Sequence, residues 1–281
     1  MADAESARFE VEPAPVLRGE AAGEGPAVVL CHGLTATRRY VVHGSRALER
    51  AGHLVVSYDA RGHGESDPAP AGEGYVYPRQ VDDLERVVGA QLPPGRRFLL
   101  AGNSMGAHTA VAYALRHPER LAGLVLIGPS FTGAIEPESL AEWERLAAAL
   151  ETGGVDGFVA RIGETQPDSP WRDSVLRFTR ERMLRHQDLA AVTRALREVP
   201  ASRPFDSLEQ LRSLRVPTLV VASHDEADPG HPYETAVAYA EALPLAQLVS
   251  EGEGESPLAW QGGRLSRHID AFYAEALSSS L

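Results

Sequence analysis

The chain contains no lysine; every one of its 27 basic Lys/Arg positions is an arginine. Schiff-base chemistry and a lysine-dependent phosphate loop are thereby excluded. Cysteine is nearly absent as well. Cys31 stands alone, so no internal disulfide can form and nothing in the composition marks an oxidising compartment. No apolar run approaches the ~18–20 residues a membrane span needs. The first stretch, MADAESARFEVEP, is acidic and lacks the basic and apolar segments of a secretory signal. Positive charge is the minority sign: the formal net charge is −12 at pH 7, which argues against nucleic acid or an anionic membrane as partner. These absences lead to the expectation of a cytoplasmic protein that meets a small molecule.

What is present is an ordinary globular balance, 43% hydrophobic and 23% charged over 281 residues, enough for one large domain or a core with an insertion. Short apolar runs at 27–30, 54–59, 98–102, 124–128, 218–223 and 247–251 end in glycine-rich or polar turns. Between and after them lie helical patterns at 41–52, 81–92, 105–121, 235–243 and 264–277. Near-continuous apolar strands alternating with helices predict an α/β, doubly wound fold around a mostly parallel sheet. From about 133 to 204 the alternation breaks into helical stretches alone, such as 138–151 and 173–184. The expected organisation is therefore a core of residues 1–132 and 205–281 with a helical insertion at 133–204.

One motif carries chemistry. Gly102-Asn103-Ser104-Met105-Gly106 matches G-x-S-x-G, preceded by the apolar run FLLA and followed by an alanine-rich helical stretch. On a tight strand-to-helix turn the serine hydroxyl projects from the sheet edge, and the flanking glycines let backbones pass where a Cβ would clash. Together with HGL at 32–34, DARGHGES at 59–66 and DPGHP at 228–232, the elbow gives a chain that resembles the α/β-hydrolase superfamily over nearly its whole length. The resemblance implies an eight-stranded, mostly parallel sheet with a helical cap. It also implies Ser104 as nucleophile, with the backbone N–H groups of Leu34 and Met105 as oxyanion hole. A serine in place of an aspartate disfavours the branches with a carboxylate nucleophile. No cofactor is expected, and no metal, since the scattered histidines lack metal-ligand spacing.

The acid and the base follow less simply. In this superfamily the order is nucleophile, acid, histidine. Asp225, Glu226 and Asp228 compete for the acid; the four-residue spacing from Asp228 to Pro232 fits the family pattern. The histidine is expected just after the run at 247–251, and there the chain reads EGEGESPLAW with Glu255 in its place. A carboxylate is an intrinsically weaker base than imidazole by ~2 pKa units, and beside Asp228 it would meet a like charge. Glu255 is the expected occupant of the slot, and His231, three residues past Asp228, is the alternative base. His32, His63, His108 and His268 offer no clear replacement. Two functions follow: a serine hydrolase of the esterase or lactonase kind with an atypical triad of Ser104, Asp228 and Glu255, or a hydrolase-fold binding protein that has lost turnover.

Overall fold

The structure is a computed structural model and describes residues 6–224 and 228–278. It opens with an antiparallel pair, β1 (Ala7–Val11) and β2 (Leu17–Ala22), that the apolar-run pattern does not contain. Four of the five β1 residues are not fully buried, and β2 reads LRGEAA; neither forms an apolar run, because β1 is the edge strand and β2, between β1 and β4, mixes buried with part-buried positions. Then come β3 (Ala27–Cys31), β4 (Leu54–Tyr58), β5 (Phe98–Asn103), β6 (Leu121–Ile127), β7 (Thr218–Val221) and β8 (Ala246–Val249). The sheet has eight strands in the order β1-β2-β4-β3-β5-β6-β7-β8. The β1–β2 and β2–β4 pairings are antiparallel and all the others parallel.

Successive residues of the central strands feed two separate cores. On β3, Ala27, Val29 and Cys31 enter one apolar cluster, and Val28 and Leu30 the other; on β5, Phe98 and Leu100 part from Leu99 and Ala101 in the same way. The first cluster is closed by α2 (Tyr77–Gln91), α3 (Met105–Arg116) and α8 (Tyr233–Ala242); the second by α1 (Ala47–Arg50) and α9 (Gly262–Ser278). A sheet covered on both faces buries both side-chain sets, which is why its strands read as continuous apolar runs.

The helical pattern at 41–52 yields only the short α1. His43 and Gly44 have positive φ, 48° and 70°, and interrupt it. Between β6 and β7 the chain forms α4 (Pro137–Thr165), α5 (Arg172–Met183), α6 (Leu189–Glu198) and α7 (Leu208–Leu211). Gly154, at φ 60°, kinks α4 where the sequence pattern ended its helix. These helices share a third apolar cluster with the sheet's top edge: Leu146, Leu150, Phe158, Met183 and Leu196 pack together with Leu34, Tyr77 and Met105. Cap and elbow are thus one packing unit. Among the described residues no helix is long and apolar enough to cross a membrane.

Candidate active site

Ser104 sits between β5 and α3 at φ 52°, ψ −115°, a left-handed conformation that costs a non-glycine residue and persists only where its surroundings enforce it. Those surroundings are backbone. A Cβ on Gly102 would lie 2.1 Å from the Gly106 carbonyl oxygen, and one on Gly106 would lie 2.1 Å from that of Cys31. The turn is also tied to β6 by the Ser104 N–H, which donates to the Ile127 carbonyl at 2.9 Å. The loop after β3 closes over the nucleophile: a Cβ on Gly33 would approach the Ser104 Cβ to 3.4 Å. Leu34 and Met105 are both buried. Among the described residues neither of their backbone N–H groups donates to another protein group. Met105 opens α3, where the first amides have no partner within the helix.

The partner of the Ser104 hydroxyl is His231. Its Nε2 lies 2.7 Å from Ser104 Oγ, and its Nδ1 lies 2.8 Å from Asp228 Oδ2. A carboxylate can only accept, so Nδ1 carries the proton and donates to Asp228; Nε2 is then free to accept from the serine hydroxyl. Both residues come from one turn. Asp228-Pro229-Gly230-His231 is closed by the His231 N–H donating to the Asp228 carbonyl at 3.1 Å, and proline in the second position presets such a turn. The imidazole lies against Gly128 after β6, where a Cβ would stand 3.3 Å from the ring. Burial alone would lower the His231 pKa, but the charge of Asp228 and the hydrogen bond to it outweigh burial and raise it. Burial would likewise raise that of Asp228, yet His231 brings it below the ordinary carboxylate value.

This geometry corrects the expectation that glutamate replaces the histidine. Glu255 is about half exposed; its Oε2 accepts from Arg264 Nη1 at 2.5 Å and from the Gly252 N–H at 3.1 Å. The Arg264 hydrogen bond, seconded by that of Gly252, lowers its pKa, the wrong direction for a general base. It lines a cavity of about 360 Å³ with Trp171, His224 and Glu253, and Ser104 is not in that lining. Of the competing acids, Asp225 and Glu226 lie outside the described residues, while Asp228 is the one that meets His231.

In the EGEGES loop the structural weight falls on Glu251, which is 4% exposed. Its two oxygens accept from the backbone N–H groups of His224 and Leu258, each at 2.7 Å. The carboxylate thus ties the loop after β8 to the start of the segment that carries Asp228 and His231. Hydrogen bonds to a charged acceptor are among the stronger ones, and stranded donors add a desolvation cost. Glu251→Ala is therefore expected to destabilise the fold by about 2–4 kcal/mol. Urea denaturation against Glu253→Ala, a change at an exposed neighbour, checks this.

Three other histidines brace backbone. His108 donates through Nδ1 to Tyr77 Oη at 3.0 Å, while its Nε2 accepts from the Ser130 and Phe131 N–H groups. Burial, then the positive charge of His231, brings its pKa down to about 3. His32 Nε2 accepts from the Ala60 N–H. His63 spans the carbonyls of Arg61 and Leu34 at 2.9 and 2.8 Å, joining the RGHG turn to the Leu34 loop. Groups of three or more metal-ligating side chains are absent among the described residues.

A serine at a strained elbow, hydrogen-bonded to an imidazole that is itself held by a carboxylate, defines the serine hydrolase class. Comparison with known proteins agrees. The model of the alpha/beta hydrolase fold family matches residues 26–261. The chain is 29% identical over 238 residues to a putative carbamate hydrolase, RutD, of Agrobacterium fabrum, spanning 83% of this chain and 86% of that one. It is 30% identical over 211 residues to the protein of the same description from Variovorax paradoxus, covering 73% and 75% respectively. A solved thermophilic esterase from Thermogutta terrifontis superposes with a TM-score of 0.79 at 25% identity, over 97% of this chain and 99% of that chain. The chain belongs to the α/β-hydrolase fold family. It is a serine-dependent hydrolase of the carboxylic ester type, acting on small acyl substrates.

Proposed function

We propose that Ser104, His231 and Asp228 form the catalytic triad, that the Leu34 and Met105 N–H groups form the oxyanion hole, and that residues 133–204 act as a cap over the bound ester or lactone. The 2.7 Å hydrogen bond between Ser104 and His231 carries this reading. Ser104 Oγ attacks the carbonyl carbon as His231 Nε2 takes its proton. The imidazolium so formed is stabilised by Asp228, and the oxyanion by the two backbone donors. His231 then protonates the departing alcohol oxygen. Water, deprotonated by the same nitrogen, hydrolyses the acyl-enzyme and restores the serine. The binding-protein alternative rested on a site without a base, and that ground falls away with the Ser104–His231 pair. The names of the relatives from Agrobacterium and Variovorax favour carbamates as a second substrate class, cleaved by the same acyl transfer. A cytoplasmic location belongs to the same reading, supported by a lone cysteine, Cys31, that is buried and free.

The pH profile of ester hydrolysis tests the reading. The base must be neutral, so kcat/KM rises as pH increases through the His231 pKa. Because Asp228 raises that pKa, the ascending limb for 4-nitrophenyl acetate is expected above the ordinary histidine value of about 6.5. Absence of turnover across the range, or a limb in the carboxylate region near pH 4–5, would overturn it.

A further inference from the structure

Arg182, on the cap helix α5, is a charged side chain that forms no direct ion pair with a described carboxylate, although the charge of Asp228 acts on it. Its Nη2 donates to Thr179 Oγ1 at 3.2 Å, within its own helix. Its Nε is buried and has no hydrogen-bond partner among the described residues, and no described carboxylate forms an ion pair with it. Arg180, two positions earlier and nearly half exposed, pairs with Asp156. The contrast is one of position. Arg180 faces the outside of the cap, whereas the charge of Arg182 reaches Asp228 and Tyr40, His231, His43 and His186. The guanidinium is therefore within electrostatic reach of both the catalytic turn and the segment that follows the oxyanion loop.

Arg182 as a whole is part-exposed, but burying its Nε–H without a partner is costly. Here the cost extends to catalysis, since the charge of Arg182 opposes the imidazolium that His231 must become. Both costs vanish if the substrate brings the missing anion. We propose that Arg182 is a specificity-determining residue that binds a carboxylate of the substrate, so that the preferred ester or lactone carries a second, free carboxyl group. The planar fork of a guanidinium matches a carboxylate by two parallel N–H···O bonds, and one positive charge balances one carboxylate. The anion completes the Nε donor and relieves the repulsion on His231. This inference rests on the serine hydrolase reading above and gives that enzyme's substrate a sign.

Four small esters test it by pH-stat titration: monomethyl succinate against dimethyl succinate, and acetoxyacetate against methyl acetoxyacetate. The pairs put the charge on the acyl or the alcohol side. At least one anionic ester is expected to exceed its neutral counterpart in kcat/KM. Arg182→Met, which keeps the buried stem, should lower that anionic-to-neutral ratio roughly 10- to 100-fold, mainly through KM. Arg182→Lys, which keeps the charge, should retain part of the preference. A site that prefers both neutral esters, or a ratio unchanged in Arg182→Met, overturns the inference while leaving the hydrolase intact. Failure to hydrolyse any of the four, together with 4-nitrophenyl acetate, overturns the hydrolase reading and this one with it. Loss of folding in Arg182→Met, seen by circular dichroism, passes the decision to Arg182→Lys, where equal loss for charged and neutral esters counts against the proposal.

Discussion

Replacing His231 by alanine is expected to lower kcat/KM for 4-nitrophenyl acetate by about 10⁴- to 10⁶-fold, the scale on which removing the base of a serine triad acts. Ser104 Oγ is then left without an acceptor for its proton, since His231 Nε2 is its hydrogen-bond partner. The other nearby imidazole, His108, cannot step in: its Nε2 already accepts two backbone N–H groups, and burial drives its pKa down to about 3. Ser104→Ala should cost a similar factor. The double replacement should cost little more than either single one, because nucleophile and base act as a unit. Steady-state kinetics on the three proteins, with unfolding midpoints matched, check this. A His231→Ala enzyme within tenfold of the parent would refute it.

Asp228→Asn is expected to cost about 10⁴ in kcat, with KM changed far less. The carboxylate accepts from Nδ1 and so fixes the tautomer whose Nε2 can receive the serine proton. An asparagine amide can turn its NH₂ towards the ring instead. Nδ1 then accepts, Nε2 holds the proton, and the imidazole can no longer act as base although the turn keeps its shape. Asp228→Ala should lose a comparable factor without the tautomer trap. A loss in the asparagine variant below about tenfold would mean that Asp228 only shapes the turn.

How much of this was legible in the sequence differs from element to element, for physical reasons. Five of the six runs read as strands are buried on both faces for most of their length, so hydrophobicity alone marks them; β8, at the far edge, is only part-buried. β1 and β2 escaped because an edge hairpin needs no continuous apolar run. The elbow was readable because Gly102 and Gly106 are demanded by backbone contacts no side chain could fit. The expectation of a base from the loop after β8 fails because a four-residue turn suffices to face an acid and a histidine towards each other. The signal lies in the sequence Asp-Pro-Gly-His: proline and glycine at the turn's centre bring its first and fourth residues together. The EGEGES loop, with the expected slot filled by Glu255, holds no base; Glu251 buttresses the neighbouring segment, and Glu255 is a surface partner of Arg264.

The central claim is that the proton of Ser104 goes to His231 and not to the loop after β8. The most direct measurement is the rate of Ser104 phosphonylation by a fluorophosphonate in the parent, His231→Ala and Glu255→Ala proteins, followed by intact mass. It reads activation of the nucleophile with no acyl turnover involved. Labelling should slow by at least about 10³-fold in His231→Ala and keep the parent rate in Glu255→Ala; parent-rate labelling in His231→Ala with loss in Glu255→Ala would contradict the account.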